Sequence, residues 1–209
     1  MAIQDSILST QTATRRKSER ATAVTGPFVV AALALAAVVI THLVDFGADN
    51  LRISLLNADS SSSWSHLVVI AALVGATGIS AIAATRRDGR RGLWLVATVI
   101  LAFLVVDEIS PLHTQVDDMS WGKALYAPIL VVLGVCLWRL SAGRPQRIVV
   151  RAGIVTLGVS FAIHVFGPHL LAALGLGASS WAYQVKVALK EGTELAGWLL
   201  VLAGLRTLT

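Results

Sequence analysis

The chain has 209 residues, of which 56% are hydrophobic and only 14% are charged, and its mean hydropathy is +0.74. A soluble domain carries about 25% charged residues, so this composition excludes an ordinary soluble protein and indicates an integral membrane protein. The 17 lysines and arginines outnumber the 12 acidic residues, an excess that would suggest nucleic-acid binding in a soluble chain. The single cysteine, Cys136, excludes an internal disulfide, and its apolar neighbours predict a small core residue.

The first 26 residues differ in composition from the rest of the chain. They are rich in Ser, Thr and Ala and contain four basic residues. The apolar run that follows is longer than that of a secretory signal, and no small-residue cleavage site closes it. We therefore expect residues 1–26 to be a flexible basic tail and residues 27–209 to be a transmembrane domain.

Six apolar segments follow the tail, and none shows the period-2 alternation of a barrel strand. Each is close to the ~20 residues that a helix needs to cross a hydrocarbon core of ~30 Å. The predicted fold class is therefore an all-α integral membrane protein with six transmembrane helices. The predicted spans are Pro27–Phe46, Trp64–Thr85, Gly92–Ser110, Lys123–Leu140, Ile148–Gly167 and Ala182–Leu205.

The distribution of cations predicts the orientation of these spans. With six spans, both ends of the chain lie on one side, together with loops 86–91 and 140–147. Positive residues accumulate on the cytoplasmic side, and this side would hold all but four of the 17 lysines and arginines. Both termini are therefore predicted to be cytoplasmic in a plasma-membrane protein, with the basic loops against anionic lipid heads of the bilayer. This explains the basic charge without a nucleic-acid partner.

Ionisable residues of four predicted spans reach a common level. At 1.5 Å per residue, His42, His164 and the acids of the third and sixth spans lie roughly 18–25 Å from the cytoplasmic ends. A charged group inside a bilayer is costly and usually faces a partner or a water-filled cavity. We therefore predict an outward-facing pocket built by the first, third, fifth and sixth spans. Its candidate residues are Glu191, Glu194, Glu108, Asp107, His42, His164 and His113.

Metal binding is the leading hypothesis for this pocket. Carboxylates with imidazoles suit iron, manganese or zinc, and histidine-rich sites also take copper. Soluble four-helix bundles hold di-metal sites with Glu-x-x-His pairs, whereas the pairs here are Glu191-x-x-Glu194 and His42-x-x-Asp45. The pocket would serve a metal-dependent membrane enzyme or an accessory subunit of a membrane complex. A haem between His42 and His164 is disfavoured, because both lone histidines would have to be ligands.

The same residues leave two other interpretations open. Paired carboxylates at membrane depth can share and relay protons, which suits a proton-coupled transporter or channel. Alternatively, Lys190 pairs with Glu194 at i+4 and satisfies the acids without chemistry, as in a purely structural subunit. Ala72, Ala76, Ser80 and Ala84 form a small-residue stripe. Such a stripe lets another helix approach closely, from this chain, a partner subunit or a second copy.

Two stretches resemble a signature of uncharacterised multi-pass membrane proteins of bacteria and archaea. Asp107-Glu108 with His113 is similar to their Asp-Glu … His pattern, and Glu191-Gly-Thr-Glu194-Leu-Ala-Gly197 is similar to their later Glu … Glu-Leu … Gly helix. Lys190 stands where the first acid of that helix would be, and Thr114 where an acid would follow the histidine. That family has no assigned activity, so the resemblance implies which residues act together and not what they do.

Overall fold

A computed structural model gives the structure of the protein and describes residues 2–86, 89–110, 122–144 and 147–208. Within these ranges the chain forms helices joined by turns, without a strand. The all-α fold class is therefore confirmed, and every predicted span falls on one helix. The helices are α1 (Ala2–Asp49), α2 (Trp64–Thr85), α3 (Arg91–Ile109), α4 (Gly122–Leu140), α5 (Arg147–Ala173) and α6 (Trp181–Leu208).

Helix α1 includes the segment that composition separates from the rest. It begins at Ala2 and continues to Asp49 with Pro27 inside it, so residues 2–26 are helical in the structure. Proline removes one helical hydrogen bond, and Pro27 lies at the predicted boundary between tail and membrane domain. The division of the chain at this point stays a prediction.

Four of the helices are long and apolar enough to cross a membrane. They contain the stretches Val24–Ala48, Trp64–Thr85, Arg91–Ile109 and Arg147–Ala173. Helix α4 supplies a shorter apolar stretch, Tyr126–Leu140. Helix α6 is 28 residues long, but two lysines and two glutamates interrupt its apolar sequence. By length and composition, the structure is consistent with a membrane protein.

The outer surfaces of the helices are apolar. Leu33 on α1, Val99 on α3 and Phe166 on α5 are 66, 67 and 69% exposed, and large hydrophobic side chains are exposed on the other three helices as well. Soluble monomers rarely expose apolar surface on this scale. These apolar faces are consistent with contact with lipid.

Helix α6 is the central helix of the bundle. It packs against α1, α2 and α5, whereas α4 packs mainly against α3 and α5. In its C-terminal half, Leu195, Trp198, Val201 and Leu205 are buried in the core. The helix with the most internal charge is thus surrounded by the other helices.

The contact between α5 and α6 depends on glycine. A Cβ atom added to Gly153 would lie 2.9 Å from the backbone nitrogen of Val201 and 3.0 Å from the carbonyl oxygen of Gly197. A Cβ atom added to Gly204 would collide with Val150. Small residues let helices in membranes approach closely, and here they allow backbone-to-backbone contact.

The small-residue stripe on α2 is also covered within the chain. Ala72, Ala76, Ser80 and Ala84 are buried, and α2 packs against α3 and α6. The predicted close approach of a helix is therefore confirmed, and the neighbours come from the same chain.

Side-chain contacts group the loops at two ends of the bundle. The Arg90 guanidinium donates to the carbonyl oxygens of Leu140 and Ala142 at 2.9 and 3.4 Å, which places Arg90 beside the end of α4 at what we call the basic end. At the opposite, far end, the rings of Phe46 and Trp181 pack edge to face with centroids 4.7 Å apart. Loops 50–63 and 174–180 lie at this far end.

Candidate functional site

A histidine on α2 contacts a glutamate on α3 at the far end. The Ser63 side chain caps α2 by accepting a hydrogen bond from the His66 backbone N–H. His66 Nδ1 lies 3.4 Å from Glu108 Oε2, and its Nε2 lies 3.3 Å from the Glu108 carbonyl oxygen. Because a carbonyl oxygen only accepts, Nε2 carries a hydrogen. His66 thus contacts both the side chain and the backbone of Glu108.

A lysine on α6 lies between two carboxylates of the same helix. Lys190 Nζ is 2.7 Å from Glu191 Oε1 and 3.0 Å from Glu194 Oε2. The Lys190 carbonyl oxygen accepts a hydrogen bond of 2.9 Å from the Ser160 hydroxyl, which ties this part of α6 to α5. The i+4 pairing of Lys190 with Glu194 that the spacing suggested is therefore present, and Glu191 shares the same ammonium group.

These two groups form one electrostatic unit. The Glu108 carboxyl group interacts with Glu194, Lys190 and Glu191, and Glu194 interacts with His164 and His66. We call this set the acid–lysine cluster: His66, Glu108, His164, Lys190, Glu191 and Glu194. Apart from His164, its side chains are 18–23% exposed, so the cluster is only partly buried. Asp59, in the loop before α2, also acts on Glu191.

The cluster extends from the far end into the bundle. Glu108 belongs to the last turn of α3, and His66 belongs to the first turn of α2. Lys190 and His164 each lie nine residues from the far ends of their helices, or roughly 14 Å at the helical rise. Glu194 lies one turn deeper, and the next charged residue of α6 is Arg206. The interval between them is filled by buried apolar side chains.

The structure brings together four of the seven predicted site residues: Glu108, Glu191, Glu194 and His164. It adds two that were not chosen, Lys190 and His66. The cluster is therefore built by α2, α3, α5 and α6. The prediction that the first span contributes to this cluster is therefore replaced by a contribution from the second span, α2.

His42, from the first span, has a different environment. It is fully buried, its Nδ1 accepts the Ala58 backbone N–H at 3.0 Å, and its Nε2 lies 3.0 Å from Gln184 Oε1. The Gln184 amide nitrogen in turn donates to the Ala178 carbonyl oxygen at 2.7 Å. Both ring nitrogens are thus used, and no lone pair is left for a metal ion. The predicted role of His42 as a ligand does not fit; the residue holds both far-end loops to α1 and α6.

Asp107 and Glu108 point in different directions, as adjacent helical residues must. The Tyr126 hydroxyl donates to Asp107 Oδ1 at 2.8 Å, so Asp107 joins α3 to α4. Glu108 alone of the two faces α2 and α6. The predicted site residue His113 lies outside the described residues.

The described residues contain no group of three or more His, Cys, Asp or Glu side chains arranged to hold a metal ion. The physical reason lies in the cluster itself, where the Lys190 ammonium occupies the place between Glu191 and Glu194 that a cation would need. Metal binding therefore receives no support from this part of the chain, and the iron, zinc, manganese or copper ion stays a prediction.

Comparison with curated proteins and with solved structures finds no match. A family model does match, and it covers residues 22–208, which include all six apolar segments and the whole acid–lysine cluster. The chain belongs to the family described as a domain of unknown function (DUF8692).

Proposed function

We propose that all six helices cross the plasma membrane and that both ends of the chain are cytoplasmic. Helix α6, with 28 residues, is roughly 42 Å long and exceeds the ~30 Å of a hydrocarbon core. Its lysines and glutamates face other helices of the bundle, so they do not prevent it from spanning. Arg90, Arg139, Arg144 and Arg147 lie at the basic end, whereas the far-end loops contain only Arg52. Cytoplasmic loops carry such an excess of positive residues.

Cysteine labelling of whole cells tests this orientation. In a Cys136→Ala background, Ser61→Cys and Ser179→Cys place a thiol at the far end, and Gly89→Cys and Thr207→Cys place one at the basic end. All four positions are exposed. We expect a membrane-impermeant maleimide to label the first two in intact cells and the other two only after permeabilisation. Labelling of Gly89→Cys in intact cells would contradict the orientation.

We infer that the acid–lysine cluster binds protons from the outside and that the protein is a proton-coupled transporter. The observation that carries this proposal is the charge of the cluster. Three carboxyl groups face a single ammonium group, and a low-dielectric interior does not tolerate such an excess of like charge. Bound protons neutralise this excess of negative charge.

The position of the cluster favours a carrier over an open pore. The acids lead inward from the far end as far as Glu194, and buried apolar residues of α6 separate Glu194 from the basic end. A proton that binds in the cluster therefore needs a change in helix packing to leave toward the cytoplasm. Coupling that change to a solute is what a proton-coupled transporter does.

Infrared difference spectroscopy tests proton binding directly. On lowering the pH, we expect wild-type protein in detergent to gain a carboxylic-acid C=O band that is missing in Glu108→Gln. Asp5→Asn, which changes an acid among the first 26 residues, is the matched control and should leave the band unchanged. An unaltered band in Glu108→Gln would contradict proton binding in the cluster.

Proteoliposomes test transport. Vesicles loaded with a pH dye receive amino acids, sugars, organic cations and metal salts one class at a time. We expect one class of solute to acidify the lumen of wild-type vesicles. No class should acidify the lumen of vesicles that contain Glu194→Gln. If no class does so, transport is contradicted even where the infrared band is present. A stoichiometric transition metal in protein purified without chelators, lost in Glu194→Gln, would favour the metal hypothesis instead.

A further inference from the structure

An apolar groove lies between α4 and α5, and Trp198 of α6 also lines it. Its volume is about 610 Å³, which is within the range of ligand sites. Leu130, Gly134 and Trp138 of α4 line one wall, and Leu157 and Phe161 of α5 line the other. The groove is apolar along its length and becomes basic at one end.

The groove has the length of one lipid leaflet. Its lining residues on α4 extend from Ala127 to Arg139, a rise of roughly 18 Å. Half of a hydrocarbon core is about 15 Å, so an acyl chain that starts at the basic end would reach the middle of the bilayer along this groove. A Cβ atom added to Gly158, another lining residue, would meet no atom of the described chain within 4 Å. The groove therefore has room for a chain that the helices do not fill.

Arginines surround the basic end of the groove. Arg139 lines it, and the Arg151 guanidinium lies over the Trp138 ring, 4.0 Å from the ring centroid. Arg151 Nε is buried and has no hydrogen-bond partner within the described residues. Arg147 precedes Arg151 by one turn on the same helical face. Guanidinium groups bind phosphate through paired hydrogen bonds, and a tryptophan at this level is typical of the membrane interface.

We propose that this groove binds one anionic phospholipid, with an acyl chain between α4 and α5 and its phosphate at Arg139 and Arg151. The charge of the basic end selects the headgroup, and the apolar length accepts the chain. The lipid completes the packing of α4, which contacts the rest of the bundle mainly through α3 and α5. This binding site shares no residue with the acid–lysine cluster, so the lipid proposal does not depend on the proton-coupled function.

Native mass spectrometry of the detergent-purified protein tests the proposal with two probes of equal acyl chains, phosphatidylglycerol and phosphatidylcholine. We expect one phosphatidylglycerol to be retained and phosphatidylcholine to be lost at the same activation energy. Arg151→Gln should weaken phosphatidylglycerol binding by about tenfold or more, because it removes a charge-assisted contact. Arg91→Gln, which removes an exposed arginine at the basic end of α3, should leave binding unchanged.

Two glycine variants separate the groove from the general lipid surface. Gly158→Leu fills the groove and should abolish retention of the lipid. Gly78→Leu places the same side chain on α2, at another position where nothing lies within 4 Å of an added Cβ, and should retain it. Equal retention of both lipids by the wild type, or normal retention in Gly158→Leu, would overturn the proposal. The proposal would also be overturned if the wild type were a dimer and Gly158→Leu dissociated it without changing the bound lipid, because the groove would then be a contact between subunits. If Gly158→Leu does not fold, the wild-type comparison and Arg151→Gln decide.

Discussion

Replacing Lys190 with methionine is expected to destabilise the protein by about 3 kcal/mol, the lower end of the cost of removing one partner from a buried ion pair, because these side chains are partly exposed. The methionine keeps the length and apolar stem of the lysine but removes the ammonium group. Glu191 Oε1 and Glu194 Oε2, now 2.7 and 3.0 Å from Nζ, would then face each other and Glu108 without a cation. The expected loss of stability is therefore caused by uncompensated negative charge and not by a cavity.

Unfolding in mixed micelles with increasing denaturing detergent measures this effect. Lys186→Met is the matched control, since it makes the same change one turn earlier on α6. Lys186 Nζ lies 5.2 Å from the centroid of the Tyr183 ring, a contact worth about 0.5–1 kcal/mol. The double variant Lys190→Met with Glu194→Gln should recover part of the stability, because it removes one of the stranded charges. Equal losses in the two lysine variants, without recovery in the double variant, would mean that the cluster is not a charge-balanced unit.

The helices could be predicted from the sequence because composition and length decide them. The second span was placed at Trp64–Thr85, and α2 has these same ends. The fifth was ended at Gly167, whereas α5 continues through Pro168 to Ala173. A proline stops a helix only where the lost hydrogen bond and the ring cannot be accommodated, and sequence alone does not decide this.

The depth of each site residue was also predictable, since the helical rise is fixed. Glu108, His164, Glu191 and Glu194 were identified in this way, and the structure places them together. Rotation about the helix axis was not predictable, because it depends on neighbours from distant parts of the chain. His42 has a suitable depth but faces Gln184 and the Ala58 N–H.

Two cluster residues were missed for related reasons. His66 follows the capping Ser63 by three residues, and this cap fixes the turn that directs its ring toward Glu108, which the depth of the residue alone does not indicate. Lys190 was considered only as a means of neutralising the acids. The structure makes it the centre of the α6 part of the cluster. A lysine directly before one intramembrane acid and one helical turn before another was the signal that could have identified it.

Replacing Gly153 with alanine is expected to destabilise the protein by about 1–3 kcal/mol, the usual cost of overpacking a tightly packed site. The added methyl group would lie 2.9 Å from the Val201 backbone nitrogen and 3.0 Å from the Gly197 carbonyl oxygen. Backbone atoms of α6 cannot move aside as a flexible side chain can, so α5 and α6 must separate. Because α6 also carries Lys190, Glu191 and Glu194, their geometry relative to His164 on α5 would change with it.

Gly158→Ala provides the matched control, five residues further along α5. An added Cβ atom there meets nothing within 4 Å among the described residues, and alanine favours a helix over glycine by about 1 kcal/mol. We therefore expect Gly158→Ala to be neutral or stabilising in the same detergent-unfolding measurement that shows a loss for Gly153→Ala. A shared helix-propensity effect would move both variants in one direction, whereas close packing of α5 on α6 moves them in opposite directions. Opposite signs would establish that backbone contact at Gly153 holds together the two helices that carry most of the acid–lysine cluster.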